Sequence, residues 1–249
     1  MLSAGVLAWT GAVFLAAGFI KGVVGMGLPT VAMGLLAVTM PPAQAAALLL
    51  IPSLVTNLWQ LLTGPSFGGL CKRLWTMMAG VALGTVTGAG LLTGAHTGAA
   101  SAGLGAALVL YAVVGLARAG FTTPARHEVW ASPLVGVATG LVTGATGVFV
   151  IPAVPYLQSL RLGKEDLIQA LGLSFTVSTA ALAIGLFRTG ALASPTAQLA
   201  GSLVALVPAL AGMFAGQALR QKMSVETFRT VFFAGLLALG VYLVGEAMR

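Results

Sequence analysis

Apolar residues run along this chain in stretches of about twenty, separated by short clusters of charge or of Gly, Ser, Thr and Pro. Six stretches are uninterrupted: about 43–63, 75–92, 98–118, 167–187, 199–219 and 228–246. Each is long enough to cross a bilayer as a helix. Two further apolar regions, about 4–40 and 132–160, are broken by glycine and proline, and one precedes each group of three. The pattern predicts an all-α polytopic membrane protein, one membrane domain over 1–249.

The two broken regions are related. The first reads GFIKGVVGMGLPT from Gly18 and the second GLVTGATGVFVIP from Gly140, so that Gly18, Gly22 and Gly25 recur 122 residues later as Gly140, Gly144 and Gly147. Thr63-Gly64 recurs as Thr189-Gly190 at a spacing of 126, and Gly84 and Gly88 recur as Gly212 and Gly216 at 128. One ancestral half with small loop insertions accounts for the growing spacing, giving repeat 1 over about 4–118 and repeat 2 over about 132–246. Apolar segments interrupted at matching places in two halves point to the binding site of a repeat-built transporter.

Composition agrees with the membrane reading: only 7% of residues are charged and the mean hydropathy is +1.02, where soluble chains carry about 25% charged residues. The first apolar run has no Lys or Arg before it. It therefore lacks the basic start of a cleavable signal and is expected to stay in the membrane. The net charge of +7 reads as a record of topology, not as nucleic-acid binding. A single cysteine, Cys71, beside Lys72 and Arg73 in an expected loop, excludes an internal disulfide.

Charge also orients the chain. If each broken region crossed the membrane once, the loop cations would divide six against five. If each turns back, Arg188 and Arg249 share one side, and Lys72, Arg73, Arg118, Arg126, Arg161, Lys164, Arg220, Lys222 and Arg229 lie opposite. Only the second division obeys the positive-inside rule. It predicts two inverted repeats, each a re-entrant or hairpin segment followed by three transmembrane helices, with both termini outside the cytoplasm.

Backbone freed at a break must face protein or a watery cavity. A short helix is expected to start after each break, near Pro29-Thr30 and near Pro152, because Pro suits the first helical turn. Each start would aim free N–H groups at a ligand, a seat for an anion. Lys21 lies inside the first break, opposite Thr143 in the second. A lysine at the bilayer centre costs about 3 kcal/mol and calls for a cavity, a partner or a ligand. Ser53, Thr56, Asn57 and Gln60 make one polar stripe at helical spacing, and Ser174, Thr176, Ser178 and Thr179 a looser one. The candidate substrate-binding residues are therefore Lys21, Gly22, Gly25, Gly27, Thr30, Ser53 and Asn57, with Thr143, Gly144, Thr146, Gly147, Ser174 and Ser178.

Glu128, Glu165, Asp166, Glu226 and Glu246 fall in expected loops or at span ends, as do His96 and His127. No buried carboxylate relay, metal cluster or hydrolytic set is therefore expected, nor any cofactor. Gly80, Gly84, Gly88, Gly212 and Gly216 read as small-xxx-small packing faces. A small anion channel on the same scaffold, an intramembrane enzyme and a non-transporting assembly subunit are the rival readings.

The two glycine-broken segments, each followed by a polar-striped span and a G-xxx-G span, resemble the sulfite exporter TauE/SafE family over nearly the whole chain. Members of that family carry denser glycine runs; here Met26 interrupts the first, while Val148 and Phe149 fill the second. The resemblance implies a permease of the bacterial inner membrane for small sulfur-containing or organic anions such as sulfite or sulfonates. The expected partners are that anion and the lipid bilayer; homo-oligomerisation is left open.

Overall fold

The computed structural model describes residues 4–94, 97–117, 122–192, 195–220 and 225–248. Among them the chain forms ten helices and no strand: α1 (Ala4–Val24), α2 (Leu28–Leu36), α3 (Pro42–Leu62), α4 (Phe67–Thr93), α5 (Thr97–Leu116), α6 (Ala125–Thr146), α7 (Ala153–Ser159), α8 (Lys164–Arg188), α9 (Pro195–Arg220) and α10 (Val225–Ala247). Eight are long and apolar enough to span a membrane; α2 and α7 are the exceptions.

The six expected spans are α3, α4, α5, α8, α9 and α10. Each broken region resolves into a full-length helix and a short one, which corrects the expectation of where the breaks lie. Gly18 and Gly22 are helical positions of α1, and Gly140 and Gly144 of α6. They are small because another backbone lies against them: Gly18 faces Ala209 and Gly22 faces Met213 and Gly216, while Gly140 faces Val81 and Gly84 and Gly144 faces Thr85 and Gly88. None has room for a Cβ, the close approach that holds membrane helices together. The interruption falls one step later, at Gly25 (φ 83°) and Gly27 (φ 111°) in the first region and at Gly147 (φ 72°) in the second, where only glycine adopts the backbone without strain.

The same contacts fix helix directions. Residue numbers rise together along α1 and α9, and along α4 and α6, where Gly80 faces Gly136 and Gly84 faces Gly140. They also rise together along α3 and α9, where Leu48 meets Ser202 and Trp59 meets Phe214. Hence α1 and α3 run the same way although consecutive in the chain, and the segment containing α2 brings the chain back to its starting face. Numbers run oppositely in α3 and α8, where Asn57 meets Thr179 and Gln169 meets Leu61 and Gly64. They do so again in α5 and α10, where Gly105 faces Gly240 and Gly115 faces Phe233.

Polar side chains repair the backbone where helices are interrupted. Pro52 inside α3 cannot bond to the Leu48 carbonyl. Ser202 on α9 donates to that carbonyl at 2.8 Å and accepts the Ile51 N–H at 3.0 Å. Fully buried Gln169 closes the turn after α3, donating to Leu61 and Gly64 carbonyls and accepting the Ser66 N–H. Such repair is obligatory where no water reaches.

Two helix starts differ from expectation. α4 begins at Phe67, not near residue 75, so Cys71, Lys72 and Arg73 are helical; Arg73 reaches Glu128 through a two-pronged ion pair at 2.7 and 2.8 Å. Long basic side chains let a helix continue past the apolar zone with their charges in the interface. His127 likewise lies in the first turn of α6. His96, Arg118, Lys222 and Arg249 lie outside the described residues.

Candidate functional site

α1 ends beside the C-terminal part of α3, and the last turn of α1 carries Lys21. Its side chain is 3% exposed, and its ammonium nitrogen donates to Asn57 Oδ1 across the α1–α3 boundary. The Asn57 amide in turn approaches Thr179 on α8 at 3.5 Å, and Thr179 donates to the Phe175 carbonyl. Lys21, Asn57 and Thr179 thus join three helices at the level where α3 and α8 cross. Among the described residues the ion pair is Arg73–Glu128; Lys21 has no carboxylate within reach. A buried charge without a counter-charge is expensive unless something else supplies one.

Lys21 forms part of the wall of a cavity of about 740 Å³. α1 and its break contribute Lys21, Gly22 and Gly25, and α3 contributes Thr56, Trp59 and Gln60, with Thr63 just beyond it. α8 adds Lys164 and Ile168; α9 adds Met213, Gln217 and Arg220. Among the described residues the lining holds three cations and no acid. Lys164 and Gln217 are exposed while Thr56 is fully buried, so the cavity deepens from the common end of α3 and α9 inward to Lys21. That end is the face carrying Lys72, Arg73, Arg126, Arg161 and Arg229. An enclosed wall of one sign focuses its potential on an incoming ion of the other.

The expected residues divide into two groups. Lys21, Gly22 and Gly25 line the cavity, and Asn57 holds Lys21 from behind. Gly27 packs against Ile20 and Phe232 just beyond the break. Thr30, Ser53, Ser174 and Ser178 are fully buried, and none of their hydroxyls has a hydrogen-bond partner. Four idle hydroxyls on α2, α3 and α8 are unusual where buried polar groups are normally bonded.

Thr143, Gly144, Thr146 and Gly147 do not line this cavity. Thr143 donates to the Thr139 carbonyl at 2.7 Å. Thr146 donates to Val142 and accepts the Val148 N–H, which ends α6. Gly144 is a packing contact and Gly147 lies against Met33. Behind them Val148, Phe149 and Val150 are fully buried, with Phe149 against Phe175. The second break is filled by side chains where the first opens on space.

Sequence reasoning placed Lys164 and Arg220 among topology charges and passed over Trp59 and Gln217. The helical register of Gln60 and Thr56 was visible in the stripe. The convergence of α8 and α9 on that stripe was not.

Eight apolar spans around a polar, one-signed cavity define a multi-pass membrane protein of transporter type. The sequence profile of the sulfite exporter TauE/SafE family matches residues 10–243, and the chain belongs to that family. No curated protein and no solved structure matches it significantly.

Proposed function

We propose that the protein is a secondary transporter of small organic or sulfur-containing anions, sulfite and sulfonates among them. It carries the anion by alternating access between two inverted repeats in the cytoplasmic membrane. The observation that carries the reading is Lys21: a buried basic side chain, without a carboxylate, in the wall of a cavity that Lys164 and Arg220 also line. An anion supplies the missing counter-charge, and an acid in the wall would repel it. Gly25, at the interruption between α1 and α2, lines the same cavity.

The helix directions support the inverted repeats. Under the sequence spacings α3 corresponds to α8 and α5 to α10, and each corresponding pair is antiparallel. A two-fold axis along the membrane normal would make them parallel; one in the membrane plane makes them opposed. The packing of α1 on α9 is likewise matched by that of α6 on α4. The cation-rich face is assigned to the cytoplasm by the positive-inside rule, which puts both termini outside.

A binding panel on the purified protein tests this: sulfite, thiosulfate, sulfoacetate, taurine and simple carboxylates, read by thermal shift. Sulfur anions are expected to stabilise it. Lys21→Ala is expected to weaken binding about 30-fold, the loss of about 2 kcal/mol from one buried charge contact. Stabilisation by carboxylates alone overturns the sulfur assignment, and equal binding by Lys21→Ala overturns the site. In proteoliposomes, saturable flux with counterflow separates a transporter from a channel.

A further inference from the structure

We infer that each anion crosses together with one proton, and that the proton rides on the Lys21 side-chain nitrogen. The inference rests on the cavity being an anion site and adds the coupling ion.

The groups facing Lys21 narrow the choice of proton carrier. From α3 come Thr56, Asn57 and Gln60; from α8, Thr179 and, at the mouth, Lys164; from α9, Met213, Gln217 and Arg220. No residue of α2 lines the cavity, and α2 carries no charged side chain. On α10, Arg229 donates to the Gly115 carbonyl and lies over the Phe233 ring. Glu165 and Asp166, in the first turn of α8, are not part of the cavity lining. Among the described residues, the Lys21 amine is thus the group deep in the cavity that can gain or lose a proton in water.

Its surroundings suit both states. A neutral amine keeps its hydrogen bond to Asn57 Oδ1 and leaves the inner wall without charge. An ammonium keeps the same bond but lacks a carboxylate, and Lys164 and Arg220 in the same wall are of its own sign. An arriving monoanion removes that deficit. The proton comes from water at the cavity mouth and adds to the nitrogen lone pair, forming one N–H bond. The ammonium–anion pair is then neutral overall, and a neutral pair is far cheaper to enclose away from water than either ion alone. On the far side the anion leaves to water, the N–H bond breaks, and the proton leaves with it. The net movement is one proton with each monoanion, without net charge.

The test is made on the full chain purified in detergent, in weak buffer with an indicator dye. Methanesulfonate and sulfoacetate serve as probes because their sulfonates stay ionised throughout the range. Titrations run from about pH 6 to about pH 11, a range that includes the ordinary titration of a lysine amine. Binding of methanesulfonate is expected to take up one proton in the alkaline part of the range, with affinity falling about tenfold per pH unit there. Lys21→Arg, which cannot release its proton, is expected to bind without uptake. Should that variant not fold, Asn57→Asp gives the ammonium a permanent partner, and both uptake and anion binding are expected to fall. Binding with no uptake and flat affinity across the range overturns the coupling and leaves the anion site standing. Undiminished uptake in Lys21→Arg or in Asn57→Asp also overturns it, placing the proton elsewhere. If neither anion binds at any pH, the anion site fails and the coupling fails with it.

Discussion

At the first break the chain leaves α1 through Gly25 and Gly27, both at positive φ, beside a buried lysine and a cavity of about 740 Å³. At the second it leaves α6 through Gly147 and runs straight into Val148, Phe149 and Val150, all fully buried. The contrast extends to the walls. Applying the spacings of 122, 126 and 128, Lys21, Gln60, Gln217 and Arg220 correspond to Thr143, Leu186, Ala89 and Leu92. Every member of the second set is buried at 3% exposure or less. The repeats therefore share the contacts that set backbone against backbone and differ in the side chains that face inward. Glycine packing fixes helix separation and tolerates little change; an inward side chain answers only to what fills the space beside it. The glycine contacts are alike at the two breaks because the first constraint is severe, and one break opens on a basic cavity because the second is loose.

The largest expected effect tests the shared part. Gly18→Leu and Gly140→Leu both place a large side chain where the facing backbone already sits, at Ala209 and at Val81 and Gly84. Helices α1 and α9, or α4 and α6, must then separate. Overpacking of this kind costs about 3 kcal/mol or more, and both variants are expected to lose most folded protein by size-exclusion chromatography and thermal melting. One variant melting like the parent would break the equivalence of the two halves.

The next tests the divergent part. Thr143→Lys writes the first break's residue into the second, where no cavity waits for it. The new ammonium is buried without a partner and the Thr139 bond is lost, an uncompensated charge costing about 3–5 kcal/mol. Lys21→Thr shortens a side chain that borders open space and is expected to stay folded with an unchanged melting temperature in the absence of ligand. Equal destabilisation by the two swaps would mean that the vestibules are alike after all.

How much of this could be read from the chain follows from the kind of constraint involved. The six uninterrupted spans were legible because a bilayer dictates length and apolarity, whereas the two broken regions each hide a further full-length helix, α1 and α6. The polar stripe led to Asn57, and the isolated lysine to the cavity. The role of Gly18, Gly22, Gly140 and Gly144 was not legible: glycine at a four-residue spacing suits both a broken helix and a tightly packed one, and only the facing Gly84, Gly88, Gly212 and Gly216 decide between them. Equal treatment of the two breaks also went too far. A repeat in sequence conserves the hinge, but whether space opens beside it depends on residues such as Phe149 and Phe175 packing together from different elements.

The smallest effect concerns the mouth of the basic cavity. Lys164 is exposed and Arg220 half-buried, so each acts on an anion through a medium close to water, at about 1 kcal/mol or less. Lys164→Gln and Arg220→Gln are each expected to weaken binding two- to fivefold, mainly through slower association, and the difference should shrink as salt rises and screens the exposed charge. Lys21, enclosed by α1, α3 and α8, should show little such salt dependence. Measuring association rates for sulfoacetate at low and high ionic strength therefore sorts the three cations by depth. A mouth residue whose effect survives high salt would be touching the anion directly, and the site would then extend outward from Lys21 toward the C-terminal end of α9.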